Sequence, residues 1–274
     1  RQALEYSKII YDMFVRRELI KISEQTIDDA KLSDLNTSGQ KIIENSEKEL
    51  FRLAEKGSFN STIIKFDKAL KETIDMASAA YKNEEGIVGI PTGLRDLDDR
   101  LGGLHKSDLI IIAGRPGMGK TALALTMARN IAIDHSRAIG FFSLEMSSEQ
   151  LVNRLIASEA ELSSNKLRKG DLKDHEMVQL HQKIKYLSDA EIFIDDTPAL
   201  TVFELRAKAR RLVKNHNVSI ILIDYLQLMQ AGNNSGNREQ EISTISRSLK
   251  SIAKELKIPV IALSQVNSCL LYTS

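Results

Sequence analysis

The chain has 274 residues, 42% of them hydrophobic, and its 38 basic residues are balanced by 37 acidic ones. That length suits one large domain or a domain with an appendage, and the near-neutral balance excludes attachment to nucleic acid or membrane through bulk charge. No apolar stretch approaches the roughly 20 residues needed to span a bilayer, no signal peptide leads the chain, and a single cysteine makes no internal disulfide, so the cytoplasm is the expected compartment, with no membrane partner.

Residues 1–57 are charged and helical in pattern. Ile9, Ile10, Met13 and Phe14, and later Leu50 and Leu53, recur at three- and four-residue spacing. Such a stripe packs either on a partner chain or inside a helical hairpin, and the sequence leaves both open. Ser58-Phe59-Asn60-Ser61 interrupts the pattern. Within 58–85 a further helix is expected from Phe66 to about Tyr81, with Phe66, Ala69, Leu70, Thr73, Ile74 and Ala77 along one side. Lying between two regions, it reads as a connecting helix that docks on another surface. The polar joint Lys82-Asn83-Glu84-Glu85-Gly86 marks the domain boundary, and 86–268 forms the next domain.

Beyond that joint the pattern changes. Apolar runs at 109–113, 139–144, 192–195, 219–224 and 258–263 read as strands buried on both faces. Helices are expected near 120–134, 148–159, 174–187, 202–215 and 238–256. This alternation predicts an α/β fold, a mostly parallel sheet with helices on both sides and a ligand site at the carboxyl ends of the strands.

Gly114-Arg115-Pro116-Gly117-Met118-Gly119-Lys120-Thr121 matches the phosphate-loop pattern G-x-x-x-x-G-K-[ST], entered by an apolar strand and left, from Ala122, by a helical run. The glycines let successive N–H groups face a phosphate, and the helix start adds partial positive charge. Lys120 is then expected to reach the β- and γ-phosphates of ATP, and the Thr121 hydroxyl to hold Mg²⁺.

Two carboxylates complete that chemistry. Asp224 ends the apolar strand Ser219-Ile220-Ile221-Leu222-Ile223 and is expected to hold the metal. Its neighbour is Tyr225, so the residue that orients the attacking water comes from elsewhere in the sheet. Glu145, after Ile139-Gly140-Phe141-Phe142-Ser143-Leu144, fits that role. Gln265 closes the last strand, where its amide can report the γ-phosphate. Asp195 and Asp196 read as a solvated strand end. The glycine- and asparagine-rich 231–237 with Arg238 reads equally as a plain surface loop or as a contact to a phosphodiester backbone.

These residues together resemble the bacterial replicative DNA helicases of the DnaB type over 1–267. The most specific stretches are Gly89-Ile90-Pro91-Thr92-Gly93-Leu94, Gly114 to Thr121, Phe142-Ser143-Leu144-Glu145-Met146-Ser147, Ile194-Asp195-Asp196-Thr197-Pro198, Leu222-Ile223-Asp224-Tyr225-Leu226-Gln227-Leu228, and Arg238 to Lys250. The resemblance implies a RecA-like P-loop NTPase core preceded by a linker helix and an all-helical remnant of an amino-terminal domain. It also implies a homo-hexameric ring on single-stranded DNA, primase and helicase-loader partners, and Lys120, Thr121, Glu145, Asp224 and Gln265 as site residues. A recombination- or clock-type RecA-like ATPase, or a nucleotide-dependent scaffold that is no motor, stands as the alternative. The family continues into a DNA-contacting loop and a basic finger that this sequence does not reach, so weak ATP binding and slow hydrolysis are expected of it. The closing Cys269-Leu270-Leu271-Tyr272-Thr273-Ser274 matches one frame of a sequencing adapter and is expected to be an artefact.

Overall fold

A computed structural model describes residues 2–31, 87–229 and 238–266, with scattered positions between 39 and 78. The joint at 82–86, the segment 231–237 and the terminal hexapeptide lie outside the described residues. Two compact units make up the chain, Arg1–Thr73 and Ile74–Ser274.

In the first unit, helix α1 runs over Gln2–Lys31. The hydroxyls of Thr26 and Ser46 meet at 2.8 Å, each also within hydrogen-bond reach of a carbonyl one turn earlier in its own helix. That contact and the burial of Leu53 fit a hairpin within the chain. The stripe nearer the start is not covered by it, since Ile9, Ile10, Met13 and Phe14 stay exposed, Ile10 at 69%. The described positions between 66 and 78 are helical, and Phe66, Leu70 and Ile74 are exposed along them.

The second unit is a five-stranded sheet of β1 (Leu109–Gly114), β2 (Ile139–Ser143), β3 (Ile192–Asp195), β4 (Ile220–Asp224) and β5 (Val260–Gln265), in the order β1-β5-β4-β2-β3. All four pairings are parallel. Helix α2 (Arg95–Leu101) precedes β1, and between the strands come α3 (Lys120–Arg129), α4 (Ser148–Glu159), α5 (Ser164–Lys169), α6 (Asp174–Ser188), α7 (Val202–His216) and α8 (Arg238–Leu256). Alternation along β4 splits its side chains between two layers. Ile221 and Ile223 pack with Leu205, Ala209, Ile245 and Leu249 of α7 and α8, while Ile220 and Leu222 pack with Met127 and Leu151 of α3 and α4. Each of these isoleucines and leucines contributes about 1.5–3 kcal/mol by leaving water.

Burial on both faces holds for β2 and β4 but not for every strand. The edge strands β1 and β3 are half-buried, and Ile111 is 48% exposed. An edge strand reads from composition like a central one, because only pairing order distinguishes them. The helix expected over 120–134 is α-helical to Arg129 and then widens into a π turn, Asn130–Asp134.

That π turn starts at a buried polar knot. Asp98 accepts hydrogen bonds from the Thr92 N–H, the Thr92 hydroxyl and the Gly93 N–H at 2.8–3.0 Å. The Asn130 amide donates to the Thr92 carbonyl at 3.2 Å. Asp98 thus holds Thr92 and Gly93 in place, and Asn130 fastens them onto the far end of α3. Asp98→Ala is expected to cost about 3 kcal/mol, because buried donors lose a charged acceptor. A urea titration of folding reads this directly, and an unchanged midpoint would show the knot to be dispensable.

Candidate active site

Parallel register brings the predicted residues together. Gly114 pairs with Gln265, and Ser143 pairs with Asp224, so the carboxyl ends of β1, β5, β4 and β2 finish on one edge. Lys120, Thr121, Ala122, Glu145, Asp224 and Gln265 line one cleft of about 1040 Å³ there, with Pro116, Gly117 and Gly119. This volume lies near the top of the range for small-molecule sites.

The loop between β1 and α3 keeps its shape through two glycines. Gly117 (φ +76°) and Gly119 (φ +85°) occupy the left-handed region, and a Cβ at either would meet nothing within 4 Å. Backbone conformation, not space, therefore demands glycine. Gly119 caps α3, so the first N–H groups of that helix open into the cleft. The Lys120 ammonium donates to the carbonyls of Gly114 at 2.8 Å and Arg115 at 2.9 Å. Two of its three donors are used in this way, and the third suits a phosphate oxygen. The Met118 side chain is 72% exposed and does not line the cleft, which leaves only its backbone for the loop's role.

Asp224 is the buried acid of the site, 1% exposed, and its Oδ2 has no hydrogen-bond partner. Burial pushes its carboxyl above the usual range. The Thr121 hydroxyl opposes this, Glu145 adds to it by charge repulsion, and Lys120 and Arg154 pull back. A buried carboxylate oxygen without a partner beside a threonine hydroxyl is a donor set that suits a hard divalent cation. Mg²⁺ needs few protein ligands, because phosphates and water supply the rest. Among the described residues no group of three or more His, Cys, Asp and Glu forms a denser metal site.

Glu145 stands exposed at the tip of a turn after β2. The Ser143 hydroxyl closes that turn, donating to the Met146 carbonyl at 2.6 Å and accepting from the Met146 N–H at 3.2 Å. Ser147 then caps α4. Asp196 is exposed, as expected of a solvated strand end, and it also accepts from the N–H and hydroxyl of Ser148 at 2.8 and 2.9 Å, bonds that hold its carboxyl below the usual range. Asp195 pairs with Lys208 at 2.6 Å. Burial raises its carboxyl, but the bonds from Lys208 and Thr197 outweigh that and leave it lowered.

Arg238 does not line the cleft. It opens α8, pairs with Glu241 and donates to the Gln227 carbonyl. Sequence reasoning passed over Arg154 and Arg168, which do line it. For Arg154 a signal existed. Gln150, Asn153 and Arg154 put polar groups on one side of a helix whose other side carries Leu151 and Leu155.

The raised Asp224 carboxyl has a consequence for stability. A proton is held more tightly by the folded chain than by the unfolded one, so ionising Asp224 costs the folded state. Stability from this group is greatest below the ordinary carboxylate range and falls as pH rises through the raised value. Asp224→Asn is therefore expected to raise the melting temperature at pH 7 without nucleotide, with a gain that shrinks at pH 4, while Mg²⁺-dependent nucleotide binding weakens. Differential scanning calorimetry at the two pH values checks it.

Comparison with known proteins gives the same picture. A family model described as DnaB-like helicase C terminal domain matches residues 89–270. The replicative DNA helicase DnaB of Rickettsia conorii is 45% identical over 274 positions, covering 96% of this chain and 56% of that protein. The replicative DNA helicase DnaC of Bacillus subtilis is 39% identical over 263 positions, covering 96% and 57%. The chain thus spans little more than half the length of these relatives. Among solved structures, that of a DnaB-like replicative helicase and its interactions with primase superposes with a TM-score of 0.74 at 29% identity, covering 98% of this chain and 61% of that one. A second solved structure, of an isolated ATPase domain, gives 0.70 at 33% identity, covering 76% and 73%. The parallel sheet and its flanking helices are the RecA-like ATPase fold, and the chain belongs to the DnaB-like helicase family.

Proposed function

We propose that this chain is the motor part of a replicative DNA helicase, in which a homo-hexameric ring couples Mg-ATP hydrolysis to 5′-to-3′ movement on single-stranded DNA and opens the duplex at the fork. The observation that supports it best is the convergence of Lys120, Thr121, Glu145, Asp224 and Gln265 on one cleft, in a chain of this family.

Each group has a task. The backbone from Gly114 through Ala122 cradles the phosphates, and Lys120 bridges the β- and γ-oxygens. Thr121 and Asp224 would hold Mg²⁺, which would neutralise charge on the phosphates. Glu145 orients a water in line with the γ-phosphorus and takes its proton as the new P–O bond forms. The bond to the β–γ bridging oxygen breaks, and ADP leaves with that oxygen. Gln265 donates its amide to the γ-phosphate and loses that contact after hydrolysis.

The rest of the chain serves assembly. Residues 1–57 are the end of an amino-terminal domain that meets primase, as the solved helicase does. The 58–85 region carries the linker helix, and the exposed Phe66, Leu70 and Ile74 suit docking on the adjacent subunit. Residues 86–268 are the ATPase domain. Arg238 contacts the DNA backbone, a helicase loader places the ring, and the work is done in the cytoplasm.

Glu145→Gln tests the motor reading. Binding of a fluorescent ATP analogue and ring formation are expected to survive, while phosphate release falls at least about a hundredfold and strand separation disappears. Normal turnover in this variant would remove Glu145 from the mechanism, and retained strand separation would remove the motor.

A further inference from the structure

The pairing of β4 with β5 stops early. Their ladder ends at Ile223 and Ala262, yet β5 continues alongside β1 to Gln265. After Asp224 the chain leaves the sheet through Tyr225 and enters the short turn Leu226–Leu228. One side chain fills the place that β4 vacates. The Gln227 amide donates to the Gln265 carbonyl at 2.9 Å and to the Ser264 hydroxyl at 2.8 Å. Its own oxygen accepts from the Gln265 N–H at 3.2 Å.

A carboxamide carries the same donor and acceptor as a peptide group. Gln227 therefore satisfies both backbone groups of Gln265 on the side facing β4, as a neighbouring strand would. On the opposite side Gln265 is in register with Gly114, and the following N–H, of Val266, donates to the Gly114 carbonyl at 3.2 Å. Gln265 is thus held between the first residue of the phosphate loop and a side chain from the turn that follows Asp224. The Gln227 carbonyl in turn accepts from Arg238 at the start of α8.

We propose that Gln227 is a positioning residue. Its amide fixes the backbone of Gln265 so that the Gln265 side chain meets the terminal phosphate, and it thereby sets the preference for nucleoside triphosphate over diphosphate. Through its carbonyl the same residue ties that contact to the start of α8. The inference rests on the reading of Gln265 as the γ-phosphate contact.

Affinities of the chain for Mg-ATPγS and Mg-ADP separate the two ideas. Gln227→Met keeps the length of the side chain but none of its hydrogen bonds. It is expected to lower the ATPγS-to-ADP affinity ratio about tenfold, the worth of one well-made hydrogen bond, with ADP affinity within about twofold of the parent. Gln265→Ala is expected to lower the ratio likewise. Combining both changes is expected to add little, because the two residues act as one unit. If Gln227→Met does not fold, Gln227→Glu, which retains the acceptor but loses both donations, is measured instead with the same expectation. A ratio lowered by Gln265→Ala but not by the Gln227 variant would overturn the positioning role. Equal losses for both nucleotides would do the same by showing a merely structural residue. A ratio unmoved by Gln265→Ala would overturn the γ-phosphate reading itself.

Discussion

Register in one parallel sheet is the constraint on which the rest depends. A slip of one residue would send every side chain of a strand to the other layer. β4 forbids this, because Ile220 and Leu222 are committed to one core and Ile221 and Ile223 to the other. With β4 locked, Asp224 is the last residue of the strand, still buried but past the apolar packing. The pairing of Ser143 with Asp224 and of Gly114 with Gln265 then brings four strand ends to one edge. The costly feature of the site, a buried carboxylate with one oxygen unpartnered, is tolerated because the two cores hold the strand beneath it.

The groups of the site, whether on a turn or at a strand end, are held by residues outside the proposed chemistry. Ser143 closes the turn that lifts Glu145, and Asp196 holds Ser148 at the start of the helix that follows it. Gly117 and Gly119 shape the loop that delivers Lys120 and Thr121. Gln227 fills in for the missing strand beside Gln265. Preorganisation here is mostly hydrogen bonding to backbone. Such contacts fix the backbone, and the Lys120 ammonium is itself tied to the Gly114 and Arg115 carbonyls, while the side chains of Glu145 and Gln265 line the cleft.

The phosphate loop and the strands were legible because their signals are local. Strands buried on both faces read as continuous apolar runs, and a G-x-x-x-x-G-K-T stretch between a strand and a helix is seldom anything but a phosphate cradle. The supporting contacts were not legible. Asp196 and Ser148 are 48 residues apart, and Gln227 and Gln265 are 38 apart. Nothing near Asp196 signals that its exposed carboxylate also holds Ser148. The exposure of β1 was hidden for the same reason, since strand order is a property of the whole sheet. The short helices at 95–101 and 164–169 and the turn at 226–228 are too brief to show a period.

The knot at Asp98 gives the ATPase domain a load path. Thr92 and Gly93, bound by Asp98, are tied through Asn130 to the end of α3, while the opposite end of that helix carries Lys120 and Thr121. Ten residues of α-helix span about 15 Å as a stiff rod. A pull on the chain ahead of Ile90 meets first the bonds of Gly89 and Ile90 to Gly102 and Leu104, and then this knot. What reaches Thr92 arrives at the back of the rod whose front carries Lys120 and Thr121.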